Sequence, residues 1–334
     1  MARVSETGGE DALIQLIKTQ YEAAADPGIV ELGIGDDAAL LNAGEHLDVV
    51  TTDLLVENTH FRMDLTEPYL LGWKSVAASL SDIAAMGGRP TCCFVSIGLP
   101  DIEVSVVESI YRGIADVSSK FGSVITGGDT VSSACGIVIN VTQLGKVERG
   151  RAVLRSGARP GQTIMVTNTL GDSLAGLQLL LSRGLEAARE VGSYLVERHL
   201  KPEPRIREAA AAVGAGGVTA MMDISDGLSI DLQRLCAASG VGARVKADDL
   251  PISEEAVSAA EMLGADPVEL AAGGGEDYEL LIVCEAGAEG GIARGIEACG
   301  SRASVIGETV SGAEVRLVRS DGREAPMPGG WRHF

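Results

Sequence analysis

Aromatic side chains are scarce in this chain of 334 residues: two Trp, five Tyr and four Phe. A nucleic-acid reader built on stacking platforms needs more of them. Positive charge is short as well, with 27 basic against 47 acidic side chains and a formal charge of −20, a balance that repels phosphodiester backbones and anionic membrane surfaces. The four histidines, His46, His60, His199 and His333, are too scattered for a zinc site, and neither an HExxH nor a GxSxG sequence occurs. No P-loop sequence and no GxGxxG leading from a strand into a helix is present. The six cysteines form no CxxC pair, and most lie in apolar runs such as TCCFVSIGL and ELLIVC, so they read as buried and reduced. No window holds about 18 uninterrupted apolar residues, and the polar opening MARVSETGGEDALIQLIK does not look like a leader. The expected compartment is the cytoplasm, with neither nucleic acid nor membrane as a partner.

Hydrophobic residues make up 46%, enough to bury ordinary cores, and the length favours two domains at roughly 100–200 residues each. Helical spacing predicts helices over 10–25, 68–86, 103–120, 173–183, 192–199 and 205–213. Strands are expected over 47–52, 91–99, 137–146 and 163–166, while Val124-Ile125 reads as no more than a strand end. Strands and helices in alternation indicate an α/β (α+β) fold. Polar residues Arg149-Gly150-Arg151 interrupt the pattern, which places the boundary between domains of residues 1–149 and 150–334.

Carboxylates end several apolar runs: Asp36 and Asp37, Asp53, Asp82, Asp129, Asp223 and Asp226, each near glycine, threonine or serine. Any one alone reads first as a turn or N-cap residue. Asp82 resists that reading, because it sits inside the small, apolar helical run AASLSDIAAM, where a buried carboxylate needs a charged partner. Gathered at one cleft, such groups offer hard oxygen ligands for Mg²⁺, with Thr51 and Thr52 hydroxyls beside them and nucleotide phosphates completing the shells. Ser225-Asp226-Gly227 before Leu228 also reads as a helix N-terminus, itself an anion site.

The segments LGIGDDAALL, TTDLLVENTHF, SLSDIAAMGGRP, GGDT, RSGARPG, DISDGLSIDL and GGGEDYELLIV occur in this order. Together they make a chain that resembles the thiamine-monophosphate kinase family, within a superfamily that also holds aminoimidazole ribonucleotide synthetase. The resemblance implies two domains, dimerisation through N-terminal strands, and Mg²⁺-dependent transfer of the ATP γ-phosphoryl group to thiamine monophosphate. It implies a metal shell of Asp37, Thr51, Thr52, Asp53, Asp82, Asp129, Asp223 and Asp226. It further implies ATP contacts from Tyr111, Gly128, Asp129, Arg155 and Ser225, and acceptor contacts from His60, Glu276 and Trp331. Four of these have a plainer alternative: Arg155 as a surface residue before a turn, His60 as a strand end, Glu276 as a turn residue, Trp331 as a packing anchor.

No residue is expected to act as a covalent nucleophile or obligatory base, since the acceptor phosphate is already ionised at neutral pH. Selenophosphate synthetases need a reactive Cys or selenocysteine near a glycine-rich N-terminal segment, and residues 1–31 contain no cysteine. Aminoimidazole ribonucleotide synthetase is the nearer rival by fold, but Thr52-Asp53, His60-Phe61 and GGEDYEL favour the thiamine enzymes. A binding protein that keeps the site without turnover stays open at this level.

Overall fold

The structure is a computed structural model that describes residues 9–21 and 26–330. Its first half carries α1 (Glu10–Tyr21), β1 (Val30–Leu32), β2 (Ala39–Ala43), β3 (His46–Val56), α2 (Pro68–Ala85), β4 (Arg89–Leu99), α3 (Val104–Lys120), β5 (Ile125–Ser132) and β6 (Val138–Glu148). Its six strands form one sheet in the order β1-β2-β3-β6-β4-β5, antiparallel except for the parallel pair β4 and β5.

The second half carries β7 (Thr163–Thr167), α4 (Asp172–Arg183), α5 (Leu185–Leu200), α6 (Ile206–Ala215), β8 (Val218–Ile224), α7 (Leu228–Ser239) and β9 (Gly242–Lys246). After these come α8 (Glu254–Leu263), α9 (Pro267–Gly273), β10 (Glu279–Cys284), α10 (Glu289–Glu297), β11 (Ala303–Val310), β12 (Val315–Val318) and β13 (Glu324–Pro326). Its sheet runs β13-β12-β9-β11-β7-β10-β8, with β12 and β9 parallel and the other neighbours antiparallel. The architecture is the α/β (α+β) class expected. Among the described residues no helix is long and apolar enough to cross a membrane.

Helix α2 explains where the two halves meet. Pro68 at its first turn supplies a preset φ, and Gly87 (φ 67) ends it with its N–H on the Ala84 carbonyl. Its sequence is apolar or small almost all round, so it must be covered on every side. One side packs on the first sheet with Ile139, Val141 and Val95; Ala84 near its end joins a second cluster with Met221, Leu280 and Ala209 of the other half. Any polar side chain on α2 is therefore delivered into the junction.

Among the described residues, nothing covers the other face of the first sheet. Strand alternation puts Thr51 and Leu55 inward and Thr52 and Leu54 outward. Leu54, Phe94 and Val131 are 52%, 40% and 55% exposed on the strands of this sheet.

Three expectations need correction. The stretch after Val124 is a full strand, β5, because glycine-rich backbone can pair where side-chain propensity gives no signal: a Cβ on Gly128 (φ 154) would lie 1.8 Å from the Val95 carbonyl oxygen. Helix α5 begins at Leu185 and is kinked at Gly192 rather than starting there. Cys135 is exposed in the turn before β6, and Cys92 and Cys299 are half-buried, so the buried thiols are Cys93, Cys236 and Cys284. The first helix is described to Tyr21; the rest of its expected span, 22–25, lies outside the described residues.

Candidate active site

Three carboxylates from three distant segments meet at the junction. Asp37 comes from the glycine-punctuated turn between β1 and β2, Asp82 from the last turns of α2, and Asp223 from the end of β8; one oxygen of each lies within 4.8 Å of the others. Asp53, from β3, adjoins them as the largest neighbouring charge on Asp82. Ser79, one turn before Asp82, donates to Asp53 Oδ2 at 2.6 Å, and Thr51 Oγ1 donates to Asp82 Oδ2 at 2.5 Å. Two residues apart on β3, Thr51 and Asp53 share a face, and Ser79 and Asp82 share a line on the helix, so strand and helix periodicities together assemble the group.

Electrostatics show that this group is short of positive charge, Arg155 on Asp37 being the cation paired with it among the described residues. Burial, then the charges of Asp53, Asp223 and Asp37, hold Asp82 well above the usual carboxylate range. Burial and Asp37 lift Asp223 to about 7. Burial also raises Asp37 and Asp53, against the pull of Arg155 on the first and Ser79 on the second. Among the described residues, Asp37 Oδ2 and Asp223 Oδ2 are buried and accept no hydrogen bond. Unpaired buried carboxylate oxygens are costly, and an all-oxygen donor set of this kind suits a hard divalent cation. The residues present therefore fit Mg²⁺.

Arg155 lies in the connection between the two sheets. Its guanidinium donates to Asp37 Oδ1, with Nε at 3.1 Å, and its backbone N–H donates to Asp36 Oδ2 at 3.1 Å. Burial with Asp37 alongside then lifts Asp36 to about 6. Asp226 stands apart from the three-carboxylate group: Arg234 of α7 holds its Oδ2 and also reaches Asp231. Asp231 in turn accepts the N–H groups of Ser225 and Asp226, at 3.1 and 3.0 Å, which shapes the turn that carries both.

Thr52 is on the outer face of the sheet, 3.2 Å from Thr142 Oγ1, and its hydroxyl is turned away from the carboxylates. Gly128 and Asp129 lie on β5, exposed along its whole length, with Asp129 Oδ1 accepting the Thr130 N–H. Tyr111 on α3 is half-buried and its hydroxyl neighbours Thr130.

Across the junction, Glu276 (φ 62) occupies the turn between α9 and β10, its N–H donating to the Ser225 carbonyl at 2.7 Å. Lys74 of α2 donates to Glu276 Oε2 at 2.9 Å, and His199 Nδ1 is 3.5 Å from the same oxygen. Burial pushes Glu276 up, but the Lys74 ammonium, the largest opposing influence, outweighs it and the group ends below its ordinary value. His60 Nδ1 accepts the Val56 N–H at 3.0 Å. Trp331 lies outside the described residues.

Lys74, His199, Asp231 and Arg234 were not singled out in the sequence. For Lys74 the signal was present: it is the one charged side chain in PYLLGWKSVAASLS, as anomalous there as Asp82. His199, Asp231 and Arg234 sit in ordinary helical contexts and carry no such mark.

Family models for the AIR synthase related protein match both halves, the N-terminal domain over residues 35–147 and the C-terminal domain over 159–320. Thiamine-monophosphate kinase of Mycobacterium tuberculosis is 38% identical over 328 residues, 98% of this chain and 92% of the relative. This chain belongs to the thiamine-monophosphate kinase family. The Escherichia coli family member is 36% identical over 307 residues, covering 91% of this chain and 92% of its own length. A solved family structure described as "AaThiL complexed with AMPPCP and TMP" superposes with a TM-score of 0.86 at 35% identity, covering 100% of this chain and 99% of that one. The fold extends to a hydrogenase maturation protein solved with ATP, at TM-score 0.71 and 20% identity.

Proposed function

We propose that this chain phosphorylates thiamine monophosphate to thiamine diphosphate with ATP as donor, by direct in-line transfer of the γ-phosphoryl group and release of ADP. The observation that carries the reading is the junction of Asp37, Asp82 and Asp223, with its unpartnered oxygens, in a chain whose family includes a structure holding an ATP analogue and TMP. Asp37, Asp53, Asp82 and Asp223, with the Thr51 hydroxyl, are the groups suited to hold Mg²⁺. When bound, Mg²⁺ supplies the positive charge that lets carboxylates and phosphates share one site.

The chain's own residues then have separable tasks. Ser79 and Thr51 orient Asp53 and Asp82 through short hydrogen bonds. Arg155, held against Asp37, brings a guanidinium to the edge of the phosphate region. Asp226, which Arg234 holds in this structure, and Asp129 would complete the ligand set in this proposal. Thr52 remains a further proposed ligand, at the cost of turning from the outer face. Tyr111, Gly128 and Ser225 are proposed ATP contacts, and His60, Glu276 and Trp331 acceptor contacts. No covalent nucleophile is required, because both reacting groups are phosphates and the task is alignment and charge neutralisation.

The bare outer face of the first sheet supports dimerisation through the N-terminal strands, since exposed Leu54, Phe94 and Val131 are suited to burial against a second copy. Residues 1–149 and 150–334 are the proposed domains, and the cytoplasm the proposed compartment. The test is incubation with thiamine monophosphate, ATP and Mg²⁺, with EDTA and free thiamine as controls. Metal-dependent thiamine diphosphate from the monophosphate alone is the expected product. Tight Mg·ATP binding without that product would overturn the acceptor assignment.

A further inference from the structure

Lys74 is 4% exposed, on a helix that is otherwise apolar or small until Asp82, and 202 residues separate it from its partner Glu276. An ammonium group can only donate, so His199 Nε2, 3.5 Å from Lys74 Nζ, must be the acceptor, and the His199 proton resides on Nδ1. That proton faces Ser173 Oγ at 3.0 Å and Glu276 Oε2 at 3.5 Å. Burial and then Lys74 push His199 down to about 3, so it is neutral and adds no second cation. Lys74 and His199 thus both face Oε2 of Glu276, and among the described residues Oε1 accepts no hydrogen bond and is the oxygen that remains for a ligand. The Glu276 side chain is 29% exposed, while that of Lys74 behind it is 5% exposed.

The carboxylates of the junction divide into two kinds. Asp37, Asp53, Asp82 and Asp223 are raised and call for added cations, whereas Glu276 is ionised by a cation the protein itself supplies. An ionised carboxylate without a metal repels phosphate and attracts a cation. The acceptor carries both, a phosphate ester and, joined to it through a two-carbon arm, a permanently cationic thiazolium ring.

We infer that Lys74 is a positioning residue for the acceptor: by holding Glu276 Oε2 from the opposite half of the molecule, it presents Glu276 Oε1 to the cationic ring system and thereby sets specificity for a cationic phosphate ester. The inference rests on the assignment of Glu276 as an acceptor contact. With Lys74 gone, Glu276 loses both its anchor and the charge that keeps it ionised.

The test compares Lys74→Met, Glu276→Gln and the double variant in steady-state kinetics, with thermal unfolding of each. Loss of one charge-assisted contact predicts a rise of about tenfold or more in KM for thiamine monophosphate in Lys74→Met, with KM for ATP within about twofold. In the Glu276→Gln background, Lys74→Met adds nothing. The preference for thiamine monophosphate over its isosteric analogue, with a neutral thiophene in place of the thiazolium, falls by a similar factor in Lys74→Met. Equal shifts in both KM values, additive effects, or an unchanged preference would overturn the inference. Lys74→Gln, which keeps a donor on a shorter stem, carries the same comparison if the Met variant does not fold; failure of both to fold makes Lys74 structural and overturns it. Absence of product from the unaltered chain overturns the functional reading together with the inference, whereas product with an unchanged acceptor KM overturns the inference alone.

Discussion

Ser79 of α2 and Asp53 of β3 are joined by a hydrogen bond of 2.6 Å from the Ser79 hydroxyl to Asp53 Oδ2. The contact locks the register of the helix against the strand, and Asp82, three residues on, follows into the junction with Thr51. The carboxylate cluster and the helix packing are therefore one arrangement, and substitutions there are expected to separate activity from stability.

Asp82→Asn and Asp53→Asn are expected to lower turnover by more than about a hundredfold, beyond the usual effect of disturbing a residue behind a metal ligand. Removing a buried, mutually repelling carboxylate leaves the metal-free melting temperature unchanged or higher. Steady-state rates and thermal melts in EDTA check both halves. Full activity in either variant would remove that residue from the ligand set.

The pH dependence of metal-free stability has a defined sign at Asp223. Burial and Asp37 raise it from 3.8 to about 7, so the folded state holds this proton more tightly than the unfolded state. Its favourable contribution is complete below about pH 4 and is lost as pH rises through about 7. Asp223→Asn should therefore gain little over the unaltered chain at pH 5 and more, by about 2 °C or above, at pH 8. Thermal melts of the two proteins in EDTA at both pH values provide the check; an equal difference at both would contradict the burial argument.

Phe94→Glu places a charge on the bare face of the first sheet without touching the core. Light scattering should show the unaltered chain as a dimer and the variant as a monomer with its melting temperature little changed. A monomeric unaltered chain would leave the outer face without its proposed cover.

Gly128→Ala puts a Cβ within 1.8 Å of the Val95 carbonyl oxygen at a φ of 154. The β4 and β5 strands must part locally, and the loss of stability in urea unfolding should reach about 2 kcal/mol or more. A near-neutral result would mean that β5 is not held this close to β4.

Direct transfer between two phosphates leaves a stereochemical signature. Chirally labelled γ-phosphorus should emerge inverted in thiamine diphosphate, and retention would require a phosphoenzyme that the site residues do not supply.

Much of the site could be read before the fold. Asp82 inside AASLSDIAAM demanded a charged partner because a buried carboxylate cannot stand alone, and alternation along β3 already separates Thr51 from Thr52. The same reasoning reaches Lys74 in the preceding turns. Strand β5 was underread because glycines carry no propensity for strand, and its pairing comes from the neighbouring backbone of β4.

Local chemistry along the chain determined which segments end in carboxylates, where α2 begins and stops, and the two-part α/β organisation, since these depend on neighbours a few residues away. Only the tertiary structure decided that Asp37, Asp82 and Asp223 share one site, that Arg234 takes Asp226, and that Lys74 meets Glu276. The Asp82 and Lys74 meetings join segments up to 202 residues apart and are set by how α2 packs between the two sheets, while Arg234 reaches Asp226 across the turn into α7. Charge at one position carries no record of the partner that packing brings to it.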